Sequence, residues 1–222
     1  MQTGLLSIVA TPIGNLSDIT KRALDTLSNA DIVLCEDTRV TKKLLTHYDI
    51  DTPTRSYHQH SQEKDIKEII ALLDSGKHLA LVTDAGTPGI SDPGNQLIAT
   101  VVKRTDASIS PVPGASAIVA ALSISGFPTD KFLFLGFPPH KNKRKKFFKE
   151  VAAASYTVAF YESSHRIEKA LLELKEVLDI KKQVCVCREL TKKFESMYRG
   201  TIEEIIEMNI STKGEFVVII SS

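Results

Sequence analysis

The chain reads as an α/β protein built on a mostly parallel sheet with helices on both faces, and three observations predict it. Apolar runs of strand length alternate with longer stretches at helical spacing from end to end. Four of the strand-length runs end directly in loops carrying glycine, proline or clustered charge. The composition, 42% hydrophobic and 25% charged over 222 residues, suits one large packed domain or two small ones and excludes a disordered tail.

Taken in order, residues 5–10 form an apolar strand that breaks at Thr11-Pro12-Ile13-Gly14-Asn15, and residues 19–27 follow at helical spacing. Residues 31–35 are the next strand, with a helix over 38–47. A helix over 66–73, a strand over 79–83 and a helix over 96–103 come next, then a strand over 108–112 and a small-residue helix over 115–123. This strand, loop, helix order implies parallel pairing. A break at Ser125-Gly126-Phe127-Pro128-Thr129 places a domain boundary near residue 127, dividing the chain into 1–127 and 128–222. Beyond it the alternation restarts: strand 132–137, helix 145–153, strand 156–161, helix 164–178, strand 183–188, strand 195–200, helix 202–208 and strand 216–220.

The first ten residues lack a basic start before an apolar run, so no secretory leader is expected, and no apolar stretch reaches the length of a membrane span. Cys35, Cys185 and Cys187 are an odd number, with the last two on one strand face. They read as buried thiols in a reducing cytoplasm rather than a disulfide framework or a metal site.

The net charge of +1 hides an asymmetry. Residues 1–127 carry 11 Lys and Arg against 14 Asp and Glu, whereas residues 128–222 carry 17 against 13. Lys141, Lys143, Arg144, Lys145, Lys146 and Lys149 fall within nine positions, a block that reads as a solvated helix start or as a contact surface for a phosphate backbone.

Four loops stand at the carboxyl ends of expected strands, where open α/β sheets bind ligands: residues 11–15, 35–39, 84–94 and 111–117. None carries a P-loop or a G-x-G-x-x-G fingerprint. Residues 84–94 are either a long turn with a helix cap at Ser91 or Asp92 or, as three Gly, two Pro and two Asp favour, a binding loop.

The strings VATPIGNLSDIT, CEDTR, DAGTPGISDPG, PVPGASA and YESSHR, together with Arg188-Glu189-Leu190-Thr191-Lys192 and Lys213-Gly214-Glu215-Phe216, resemble the tetrapyrrole methylase superfamily over nearly the whole chain. Within it the chain is most similar to the ribosomal RNA small subunit methyltransferase I family, whose members often continue past the strand at 216–220. The resemblance implies two α/β domains of the tetrapyrrole methylase type with a cofactor cleft between them, S-adenosylmethionine as cofactor, and a homodimer. It further implies 2′-O-methylation of a cytidine in the decoding region of 16S rRNA, on free RNA or the small ribosomal subunit. By the same resemblance the cofactor would be held by Pro12 and Gly14, by Asp84, Ala85, Gly86, Thr87 and Ile90, and by Gly114, Ser116 and Ala117. Tyr161, Glu162, Glu189 and Leu190 would form its wall in the second domain.

Methyl transfer to a ribose hydroxyl needs a held nucleophile and a group to take its proton. Glu36, Asp37 and Arg39 form a compact cluster after a strand: Asp37 or Glu36 is expected to orient or deprotonate the hydroxyl and Arg39 to engage a phosphate, unless Asp37 or Thr38 simply caps a helix. His165, a second candidate base, stands with Arg166, a candidate phosphate ligand, at a helix start. A tetrapyrrole carbon methylase, a non-catalytic RNA-binding module and a methylase of a diphthine-type histidine derivative are the alternatives.

Overall fold

The computed structural model describes residues 3–58 and 61–222, and the chain divides by its internal contacts into two units, Met1–Ser116 and Ala117–Ser222. The first unit contains β1 (Leu5–Val9), α1 (Lys21–Asn29), β2 (Ile32–Cys35), α2 (Thr38–His47), β3 (Thr54–Ser56), α3 (Glu63–Asp74), β4 (His78–Leu81), α4 (Asn95–Arg104) and β5 (Ser108–Val112). Its five strands lie in the order β3-β2-β4-β1-β5, and every ladder is parallel.

Alternate residues of these strands feed two cores, as the two-residue period of a strand requires. Val9, Val33, Cys35 and Ala80 pack with Ala23 and Leu27 of α1 and Leu45 of α2. On the opposite face Leu6, Leu34, Leu79 and Leu81 pack with Ile66, Ile69 and Leu73 of α3 and Leu97 and Val101 of α4. A sheet buried on both faces explains why its strands read as nearly unbroken apolar runs.

This topology also selects where a ligand can enter. From β1 and β2 the chain turns to helices on one face, while from β4, which lies between them, it turns to α4 on the other. The loops at the carboxyl end of β4 therefore diverge from their neighbours and leave a crevice, the usual ligand position in a doubly wound sheet.

The second unit contains α5 (Ala117–Ser125), β6 (Phe132–Phe134), α6 (Arg144–Ala153), β7 (Thr157–Ser163), α7 (Ile167–Lys175), β8 (Val184–Arg188), β9 (Ser196–Gly200), α8 (Ile202–Glu207) and β10 (Glu215–Ile220). Its strand order is β6-β7-β10-β8-β9; only β6 and β7 run parallel, and the other ladders are antiparallel. Phe148, Val151, Phe160, Leu174, Val186, Ile205 and Val218 belong to its core. Thr201 caps α8 with a reciprocal bond from its backbone N–H to Glu204, which is why so short a helix holds its start.

Three expectations shift. The division falls after Ser116 rather than near 127, because α5 packs on β7 and β10 of the second unit. The helix expected from 164 begins at Ile167, residues 164–166 forming a turn. The strand β3 was not foreseen, since Thr54, Arg55 and Ser56 carry no apolar pattern. Cys185 and Cys187 are free and buried on β8, with their sulfurs 3.8 Å apart. No helix among the described residues is long and apolar enough to cross a membrane.

Candidate active site

Three of the expected ligand loops converge at the carboxyl edge of the first sheet. Thr11 and Gly86 pair across the β1 and β4 loops, with Thr11 N–H donating to Gly86 O at 2.9 Å and Gly86 N–H to Thr11 O at 3.1 Å. The Thr11 hydroxyl donates to Thr83 O at 3.0 Å, and the Thr87 hydroxyl reaches Ala115 O at 3.2 Å. The β1, β4 and β5 loops are thus stitched together by their own groups.

The glycines here have steric reasons. Gly86 sits at φ 91°, a left-handed conformation that other residues rarely adopt. A Cβ on Gly114 would stand 3.0 Å from the Ala10 Cβ, so the β5 loop lies against β1 only because that atom is missing. Above this floor Gly14, Asp84 and Ala85 are exposed, and Ile90 leaves 46% of its surface open. The cap of α4 is Gly94, not Ser91 or Asp92.

Beside these loops Glu36, Asp37, Thr38, Arg39, Ser56, His58 and Asp84 line a pocket of about 620 Å³. The carboxyl ends of β2, β3 and β4 meet here, and the Asp37 N–H donates to Asp84 Oδ1 at 3.3 Å. Ser56 and His58 were missed from the sequence because both arrive through the unforeseen β3.

The acids of this edge differ sharply. Asp37 caps α2 by accepting from Arg39 N–H at 2.8 Å, and Arg39 grips the same carboxylate with Nε and Nη2, the latter at 2.7 Å. That side-chain bond holds the Asp37 carboxyl down at about 2. So committed and so weak a base is a poor proton acceptor, which favours Glu36 over Asp37 for the expected proton transfer. Glu36 moves the other way, raised first by burial and then by the charge of Asp84, with His58 partly offsetting. Asp92, in the β4 loop, is raised to about 6, first by burial and then by the charge of Glu36. Arg39 remains 86% exposed despite its pairing.

In the second unit the structure redistributes the expected roles. Arg144 is 3% exposed, with Nε on Glu173 at 2.7 Å and Nη2 on Glu162 at 3.3 Å. It is an internal cation, and the expectation that it meets RNA is corrected. Glu162 is 1% exposed with both oxygens occupied, so it serves as a buried counter-charge rather than a cofactor wall. Arg166 pairs with Glu162 at 3.0 Å instead of standing free for phosphate. Tyr161 packs edge-on against Phe134 at 4.9 Å and near Phe137 at 5.3 Å, as a half-buried core aromatic does. Glu189, at φ 52°, accepts from Lys192 and from the Glu215 N–H, each at 3.0 Å, while Leu190 is buried beside it. His165 is exposed in the turn before α7, Ser116 and Ala117 are half-buried, and Lys141, Lys143, Lys145, Lys146 and Lys149 are all exposed.

The chain is similar to known proteins over nearly its whole length. The family model for tetrapyrrole (corrin/porphyrin) methylases matches residues 5–206. Ribosomal RNA small subunit methyltransferase I of Halalkalibacterium halodurans is 47% identical over 98% of this chain and 75% of the relative, and that of Synechocystis 44% over 98% and 79%. The crystal structure of uroporphyrin-III C-methyl transferase from Thermus thermophilus, complexed with S-adenyl homocysteine, superposes with a TM-score of 0.67 at 16% identity, covering 99% of this chain and 98% of that one. A doubly wound first sheet with glycine-shaped loops at its carboxyl edge, and relatives of this identity over nearly the whole chain, place the protein in the tetrapyrrole methylases and, within them, in the ribosomal RNA small subunit methyltransferase I family.

Proposed function

We propose that the protein transfers a methyl group from S-adenosylmethionine to the 2′-hydroxyl of a cytidine in the decoding region of 16S rRNA, with Glu36 as the proton acceptor. The observation that carries the mechanism is the pocket of Glu36, Ser56, His58 and Asp84 beside the joined β1, β4 and β5 loops.

The loop residues fit the donor by their chemistry. Gly86 and Gly114 let the β4 and β5 loops pack closely against the β1 loop, Ile90 offers an apolar face for a base, and the Asp84 carboxylate suits a cationic or hydroxyl-bearing ligand. Exposed Gly14 and Ala85 and half-buried Thr87 complete that surface, whereas Pro12 is buried. When bound, S-adenosylmethionine supplies an electrophilic methyl group.

A ribose hydroxyl is a weak nucleophile, so its proton must leave as the new bond forms. Glu36, raised by burial and by Asp84, is the stronger base of the two adjacent acids, and Asp37 is spent on capping α2 and orienting Arg39. Arg39, exposed at the pocket rim, meets an RNA phosphate. The five exposed lysines between 141 and 149 supply further backbone contacts.

Single-turnover transfer of a labelled methyl group to small ribosomal subunits, with the product nucleoside identified by mass spectrometry, tests this. Glu36→Gln is expected to slow transfer by about 10²–10⁴-fold and Asp37→Asn far less. A base-methylated product, or full rate in Glu36→Gln, defeats the proposal.

A further inference from the structure

Of the six basic residues between 141 and 149, Arg144 alone turns inward. Its Nη1 donates to Pro139 O at 3.2 Å while its other nitrogens reach Glu173 and Glu162. The second oxygen of Glu162 accepts from Ser163 N–H at 2.8 Å and pairs with Arg166, whose Nη1 donates to Pro138 O at 3.4 Å. One buried carboxylate therefore grips, through two guanidinium groups, both proline carbonyls that open the lysine-bearing turn.

The turn itself needs holding. Lys143, at the start of α6, lies at φ 66°, a left-handed conformation that a lysine keeps only where its surroundings impose it. The anchored Arg144 is its neighbour in sequence. Among the described residues, none of the five exposed lysines stands in an ion pair, so their charge is left for an outside partner. A buried ion network is a weak source of stability, since the charges must give up water, but its fixed geometry can set the position of what it holds.

We propose that Glu162 is a positioning residue for RNA binding: through Arg144 and Arg166 it fixes the turn that presents Lys141, Lys143, Lys145 and Lys146 to the phosphate backbone. The inference rests on the reading of those lysines as an RNA contact. A fixed origin reduces the ordering that long side chains undergo on binding, so more of them engage phosphates at once.

The test is the salt dependence of binding to purified small ribosomal subunits between 50 and 200 mM salt, where each phosphate contact adds about 0.9 to the slope of log K against log salt. Arg144→Lys keeps the charge but cannot span Glu162, Glu173 and Pro139 together. It is expected to lower the slope by about one to two, weakening binding about 8-fold per lost contact at 0.1 M salt, with an unchanged circular dichroism spectrum. Arg166→Lys, at a partly open position, is expected to lower the slope by about one and serves if the first variant does not fold. Lys145→Gln with Lys146→Gln is the control for the underlying reading, and its slope falls by about two. An unchanged slope in that control refutes the lysine surface itself. A lowered slope there, with wild-type slopes in the folded arginine variants, overturns the positioning role alone.

Discussion

Asp92 gives a prediction whose size follows from its surroundings. Burial and the neighbouring charge of Glu36 raise its carboxyl from the ordinary 3.8 to about 6, with Asp84 adding to the effect. In the unfolded chain the group ionises near 3.8, so between those values the folded state binds the extra proton. The cost of keeping Asp92 charged is complete above about pH 6 and fades as the pH falls toward 3.8. At 1.36 kcal/mol per unit, a difference of about two units caps that cost at roughly 3 kcal/mol, and solvent screening of the half-buried carboxylate lowers it. Asp92→Asn removes the charge and keeps the shape. It is expected to stabilise the protein at pH 7.5 by up to about 3 kcal/mol, moving the urea midpoint followed by circular dichroism up by about 1 M. At pH 4 the gain shrinks to roughly half a kcal/mol. A variant no more stable at pH 7.5, or equally stabilised at both pH values, refutes the reasoning.

Arg39→Ala is expected to return the Asp37 carboxyl from about 2 toward the ordinary range, read by carboxyl NMR titration. In the wild type the stability that Asp37 contributes is present above its ordinary value and disappears as pH falls toward 2; in the variant, where the folded and unfolded values draw together, that dependence shrinks, and an unmoved titration shows that Arg39 is not its cause. Gly114→Ala must push the β5 loop off Ala10 by a few tenths of an ångström, and calorimetry is expected to show S-adenosylmethionine binding weakened about tenfold, or about 1.4 kcal/mol. Unchanged affinity removes this loop from the donor site.

Legibility in the sequence followed the strength of the local pattern. The first unit's parallel sheet was readable because both faces are buried, which leaves runs such as Leu5–Val9 and His78–Leu81 almost wholly apolar. The glycine loops were readable because a positive φ or a missing Cβ can be met by almost no other residue, as at Gly86 and Gly114. Thr54–Ser56 escaped notice because a three-residue polar edge strand has no periodicity, and Ser56 and His58 of the pocket went with it. The boundary was misplaced because α5 follows a first-unit loop in sequence but finds its packing on β7 and β10.

Charge is where sequence and tertiary structure divide most clearly. The residue order by itself determined the α/β class, the loops that close the carboxyl edge of the first sheet, and the family, since these depend on hydrophobic period and on backbone conformations few residues allow. It set Arg144 among five lysines and Asp37 beside Glu36 as equals. Only the tertiary structure separated them, burying Arg144 against Glu162 and Glu173 and raising Glu36 beside Asp84, while Asp37 keeps the local cap and its partner Arg39 at the start of α2. The roles of Arg144 and Glu36 depend on burial and on charges brought near them across the fold, which the neighbours in sequence do not reveal.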